Sequence, residues 1–144
     1  MTSPKKLYDP IREFWVAATP EEVVRQRCLQ KMLQLGYPKR WIVVEASLHP
    51  SLGEQSLAIG RRVDILALYL KGSSLAPLLL IECKASTSCS PAALQQVMGY
   101  NSIGAPFLAL AGSEYFSLRW KEQTGEKELF YLPKYQELVN ACMH

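Results

Sequence analysis

Apolar residues recur at helical spacing in one early stretch of the chain and crowd into short strand-like runs through most of the rest. Between Thr19 and Leu35, Val24, Cys28, Met32 and Leu35 form a stripe three or four residues apart. The stretch opens on Thr19-Pro20-Glu21-Glu22, which supplies an N-cap hydroxyl, a proline at the first helical position and acids where the macrodipole favours them. It closes on Gly36 with Pro38 just after. A helix is therefore predicted over Pro20–Leu35, with its stripe facing a core.

The strand-like runs follow. Trp41–Ala46 (WIVVEA) is rich in β-branched residues, and Arg61–Leu70 (RRVDILALYL) is apolar on both faces apart from Asp64. The intervening HPSLGEQSLAIG reads as a loop. A turn over Lys71–Ser74 leads into Pro77–Lys84 (PLLLIECK), another buried-type strand expected to neighbour the previous one. Ser90-Pro91 starts a helix over Ser90–Ser102, and Pro106–Ala111 (PFLALA) is a further apolar strand. Strand, helix, strand implies a parallel crossover. Tyr115–Trp120 and Glu128–Leu132 read as partly exposed strands about a turn at Gly125, with a short helix from Lys134. The predicted order is αβββαβββα.

Composition adds bounds. With 144 residues, 49% hydrophobic and 20% charged, the chain has the make-up of one globular domain over 1–144, with 1–19 as an N-terminal extension. At that length roughly 70% of the unfolded chain's surface is buried on folding, so neither disulfides nor a structural metal is needed. Sixteen basic and thirteen acidic residues give +3, which permits an anionic partner but is no nucleic-acid footprint in itself. Much of that charge falls in the first half, from Lys5 and Lys6 through Arg12, Arg25, Arg27, Lys31, Lys39 and Arg40 to Arg61 and Arg62, and either lines a DNA groove or is simply solvated. Cys28, Cys83, Cys89 and Cys142 form no C-x-x-C pair, and the only histidines are His49 and His144, so the pattern is not that of a zinc site. The first fifteen residues have no secretory apolar region, and no apolar run approaches the ~20 residues that span a bilayer. These features predict reduced thiols in a soluble, cytoplasmic protein without a membrane partner.

Two charged positions stand out because they interrupt strands that otherwise read as buried: Asp64, and the Glu82-x-Lys84 pair closing PLLLIECK. Burying charge is costly unless it is paired or binds a metal. Glu82 and Lys84, two apart in a strand, share a face while Cys83 points away. If the strands are adjacent, two carboxylates and an ammonium converge near strand ends. Mg²⁺ binds such sites through one or two carboxylates while keeping several waters, and the Cys83 backbone carbonyl offers a further oxygen. Lys84 could orient the attacking water and stabilise charge developing on a phosphate. In the second helix Gln96 and Tyr100 lie four apart on one face, both able to hydrogen-bond a phosphate or a base edge. The first helix offers Glu22, or its neighbour Glu21, as an outer carboxylate. Without a metal, the same strand charges would be a paired ionic cluster.

The ordered set Val63-Asp64, seventeen residues, Glu82-Cys83-Lys84, then Gln96-x-x-x-Tyr100 resembles the PD-(D/E)xK nuclease superfamily. It is most similar to the N-terminal nuclease domain of type I restriction enzyme R (HsdR) subunits. The likeness includes Asp9-Pro10-Ile11-Arg12, Thr19 through Gln26, Gly36-Tyr37-Pro38, Arg61-Arg62-Val63-Asp64, Ile81 through Ala85, and Leu132-Pro133-Lys134-Tyr135. Val63 stands where the superfamily's name has proline, and Ser86 where close relatives often have it. The resemblance implies an α/β restriction-endonuclease-like core, a mixed central sheet flanked by helices (αβββαβ), with extra C-terminal strands and a short helix. Its active centre is expected at one edge of the sheet. It further implies Asp64 and Glu82 as metal ligands, Lys84 as the catalytic lysine, Gln96 and Tyr100 as DNA contacts near the cut, and Glu22 as the helix acid. The activity implied is Mg²⁺-dependent DNA hydrolysis, with Mn²⁺ as a substitute. Two alternatives stay open: a non-catalytic DNA-binding or subunit-assembly module of a restriction or repair system, and a Holliday-junction-resolving enzyme, which requires a homodimer. No G-x-x-x-x-G-K-[ST] is present, so no translocating motor is expected in this chain.

Overall fold

The computed structural model describes residues 5–47, 62–86, 90, 92 and 104–143. Chain order begins with a hairpin, β1 (Lys6–Asp9) and β2 (Phe14–Ala17), followed by α1 (Pro20–Gln34) and a single 3₁₀ turn (Lys39–Trp41). Then come β3 (Ile42–Ser47), β4 (Arg62–Lys71), β5 (Ser74–Cys83), β6 (Phe107–Ala111), β7 (Phe116–Glu122), β8 (Gly125–Leu129) and α2 (Tyr135–Cys142). Apart from Ser90 and Ala92, the predicted helix over Ser90–Ser102, with Gln96 and Tyr100, lies outside the described residues, as do His49 and Cys89.

α1 begins where the sequence places it. The Thr19 hydroxyl accepts from the Glu22 amide at 3.2 Å, Pro20 occupies the first turn, and Gly36 takes φ +87° just past the end. Its inward face is broader than the apolar stripe, because Arg25 and Gln26 are buried beside Val24, Leu29 and Met32.

β3 to β8 form one six-stranded sheet in chain order. All neighbours are antiparallel except β5 and β6, which run parallel, as the predicted crossover requires. The sheet is apolar on both sides. Ile65, Leu79, Ile81 and Ala109 belong to the main core with α1 and α2, while Leu66, Leu80 and Leu110 form a second cluster at alternate positions. α2 is tied in by Tyr135, whose hydroxyl donates to the Leu68 carbonyl at 3.0 Å and whose ring meets Tyr37 edge-on at 5.2 Å. The result is the mixed α/β architecture that the family likeness implies.

Four expectations need correction. The N-terminal segment is not merely an extension: its β1–β2 hairpin turns at Pro10–Glu13, clamped by the buried Asp9 carboxylate, which accepts from the Ile11 and Arg12 amides. β5 starts at Ser74, not Pro77, because Gly72 and Ser73 alone make the turn from β4. The last strand spans Gly125–Leu129, not Glu128–Leu132. A two-residue connection pairs Glu122 with Gly125, so β8 starts directly after it. Finally, Asp64 and Glu82 do not stand on an edge strand. β3 pairs outside β4, placing both residues near the ends of interior strands.

The register of β4 and β5 contains one irregularity. Leu68 pairs with Pro77 but Ala67 with Leu79, so Leu78 is an extra residue on β5. Proline has no amide to give a ladder, which makes this neighbourhood a natural place for the bulge. Beyond it Ile65 pairs with Ile81, and the next step sets Asp64 across from Glu82 on one face. Without the bulge the strands would be one residue out of step and Asp64 would face Ile81.

Candidate active site

Asp64 and Glu82 are in direct contact. Glu82 is hydrogen-bonded both to the side chain and to the backbone of Asp64. Burial first, then the like charge of Asp64 and that side-chain hydrogen bond, push Glu82 up to about 8, with the Lys84 ammonium pulling the other way. Asp64 Oδ2 also accepts from the Cys83 amide at 2.7 Å, tying the β4 carboxylate to the β5 backbone. Lys84 stands just past β5, its amide donating to the Ala111 carbonyl at 2.8 Å, and alternation sets it on the Glu82 side. Cys83 points away: it is buried, and its thiol, hydrogen-bonded to Cys28, sits well above the ordinary thiol range. None of the three described cysteines, Cys28, Cys83 and Cys142, is in a disulfide.

α1 presents Arg25 to this centre. Its Nη2 donates to Asp64 Oδ1 at 2.8 Å, while Nη1 reaches Glu22 Oε2 at 2.9 Å and Glu45 Oε1 at 3.0 Å. Arg25 is only 7% exposed. Burial alone would lower its pKa, but the hydrogen bond and charge of Asp64, then Glu22 and Glu45, raise it, so the guanidinium stays charged. Arg12 doubles the clamp, donating to Asp9, Glu22 and Glu45. Gln26 closes the set with hydrogen bonds to Asp9 and Glu22.

Glu22, not Glu21, is thus the inward acid: Glu21 is exposed on the same turn. Glu22 reaches Asp64 only through Arg25, and both its oxygens accept from guanidinium or amide groups. Sequence reasoning assigns no chemical role to Glu45, Gln26 and Asp9, and makes Arg12 and Arg25 candidates only for a DNA groove. One signal was present: Glu45 is the only charge in WIVVEA, the same anomaly that marks Asp64. Glu45 lies across from Asp64 in register, between the pairs Val44–Ile65 and Ala46–Val63, and has φ +53°, a left-handed conformation rare for a side-chain-bearing residue. Arg62, Arg25 and Arg12 together hold Glu45 below its ordinary range against the opposing effect of burial.

The donor set suits a hard divalent cation. Asp64 and Glu82 offer carboxylate oxygens whose mutual repulsion a 2+ ion would relieve. Among the described residues no cluster of three or more Asp, Glu, His or Cys could hold an ion. Such a centre would be completed by water and a substrate phosphate, as Mg²⁺ prefers.

Residues 20–133 match the family described as the type I restriction enzyme R protein N terminus (HSDR_N). The chain belongs to this family. No curated protein and no solved structure matches it. The HSDR_N match runs from the first residue of α1 to the residue before the Lys134 cap of α2, so it takes in Glu22, Arg25, Glu45, Asp64, Glu82 and Lys84. The Asp9–Arg12 turn that braces Glu22 lies just before the HSDR_N segment.

Proposed function

We propose that this HSDR_N chain is a metal-dependent deoxyribonuclease, hydrolysing phosphodiester bonds with Mg²⁺ and accepting Mn²⁺ in its place. The observation that carries the reading is Asp64 facing Glu82 across β4 and β5, with Lys84 on the Glu82 side. Asp64 and Glu82 supply carboxylate oxygens to the ion, and the Cys83 carbonyl, which leaves β5 on the same side as the amide bonded to Asp64, supplies another. The bound ion activates water and offsets phosphate charge. Arg25 fixes the Asp64 carboxylate in place. Lys84 holds the attacking water and stabilises charge developing on the phosphate. Gln96 and Tyr100 contact DNA near the cut, and Glu22 acts as an outer acid. Other restriction subunits are the partners that would supply target choice.

Cleavage of linear, supercoiled and branched DNA with Mg²⁺, Mn²⁺ or EDTA tests this reading. Cutting is expected with either metal, is abolished by EDTA, and falls at least ~100-fold in Asp64→Asn and Lys84→Ala. DNA that binds but is cut with neither metal would make the chain a binding or assembly module. Cutting confined to branched DNA by a dimer would instead favour the junction-resolving alternative. Variants that cut as well as wild type would exclude these residues from the chemistry.

A further inference from the structure

A cavity of about 340 Å³ lies between α1 and the ends of β6 and β7, on the side of the sheet to which Cys83 points, with Cys28 in its lining. β5 and β6 are parallel, so their carboxyl ends open on the same side of the sheet, the place where open α/β sheets take ligands. Ala111, which lines the cavity, accepts the Lys84 amide hydrogen bond, so the cavity borders the backbone just past β5.

The lining is both aromatic and cationic. Tyr115 packs against Gly112, where a Cβ would run into its ring and into the Ser86 carbonyl, and its hydroxyl meets the Ser86 hydroxyl at 3.3 Å. Phe116 and Tyr131 add two more rings, Tyr131 being 59% exposed. Arg27 and Lys31, one turn apart on α1, stand at the rim. No carboxylate is among the described lining residues.

We propose that this cavity binds one unpaired nucleotide of a DNA strand, its base against the Tyr131 and Phe116 rings and its phosphate on Arg27 and Lys31. A duplex keeps its base faces stacked inside and cannot offer one to a cavity of this size. A frayed, single-stranded or extruded nucleotide can. The inference rests on the nuclease reading for the source of the nucleotide, but its test does not require cutting.

The test is binding of a fluorescein-labelled oligothymidylate and of a duplex of equal length, both in EDTA, to the full chain. Tyr131→Ala, an exposed position, should weaken single-strand binding about tenfold while changing duplex binding less than twofold. Arg27→Glu with Lys31→Glu should weaken it further and lower the salt dependence by about two phosphate contacts. Lys127→Glu, at an exposed position on β8, should change neither. Single-strand affinity unchanged in both cavity variants would overturn the proposal. So would sedimentation showing that Tyr131→Ala breaks up an oligomer, since a second copy would then be the occupant. Tyr131-dependent binding without any metal-supported cleavage would keep the cavity assignment and remove the nuclease.

Discussion

Arg25 is the residue on which the candidate site turns. One guanidinium bridges acids from α1, β3 and β4, a geometry that needs a planar fork with several donors. Arg25→Lys keeps the charge but leaves at least one carboxylate short of a donor, and should cost about 2 kcal/mol in chemical denaturation. Glu82 sets the pH response. An unfolded chain loses the Glu82 proton near 4.5, whereas the folded protein keeps it to about 8. Between those values the native state binds more protons, so this residue's contribution is full below 4.5, fades as pH rises to about 8 and changes no further. In EDTA, unfolding free energy should therefore fall more between pH 5 and pH 8.5 in wild type than in Glu82→Gln. Asp9 runs the opposite way. Burial would raise its pKa, but hydrogen bonds from Arg12, Gln26 and Ile11 outweigh that and hold it below the ordinary 3.8, so its contribution is lost only as pH falls through that lowered value. Asp9→Ala should cost about 3 kcal/mol, because it strips a buried charge from the Arg12 and Gln26 side chains.

At the scale of elements, sequence legibility followed the range of the signal. α1 was readable from Thr19-Pro20-Glu21-Glu22 because capping is local, and Thr19→Ala should cost about 1 kcal/mol on thermal or chemical unfolding. The pairing of β4 with β5 was readable from two apolar runs and a short turn, and with it the meeting of Asp64 and Glu82. What makes them meet on one face, the extra Leu78 after Pro77, depends on cross-strand register that no local pattern carries. The β1–β2 hairpin was missed because its four-residue strands expose Tyr8, Phe14 and Trp15 instead of alternating into a core. β3 was readable as a strand, but the left-handed turn of Glu45 was not, since nothing in WIVVEA demands it. That backbone gives a direct check. Glu45→Gly and Glu45→Ala both lose the carboxylate, yet Gly tolerates φ +53° and Ala does not. Gly should therefore be the more stable by about 1 kcal/mol, reversing the usual strand order.

For the whole molecule, the fold makes the small net charge of +3 more telling than composition alone suggests. Arg12, Arg25 and Arg62, three of the basic residues that were candidates for a DNA groove, are spent on Asp9, Glu22, Glu45 and Asp64. Arg40 lies over the Trp41 ring. The cations left outside this clamp include Arg27 and Lys31, at the rim of the aromatic cavity. Among the described residues no helix is long and apolar enough to cross a membrane. The HSDR_N match and the mixed sheet supply the framework; the chemistry depends on whether the Asp64–Glu82 pair takes up a divalent ion. Titration of the protein with Mn²⁺, followed by loss of the free-ion electron paramagnetic resonance signal, measures this directly. One ion per wild-type chain, lost in Asp64→Asn and in Glu82→Gln but retained in Lys84→Ala, is the predicted result; no uptake by wild type, or equal uptake by Asp64→Asn, would contradict it.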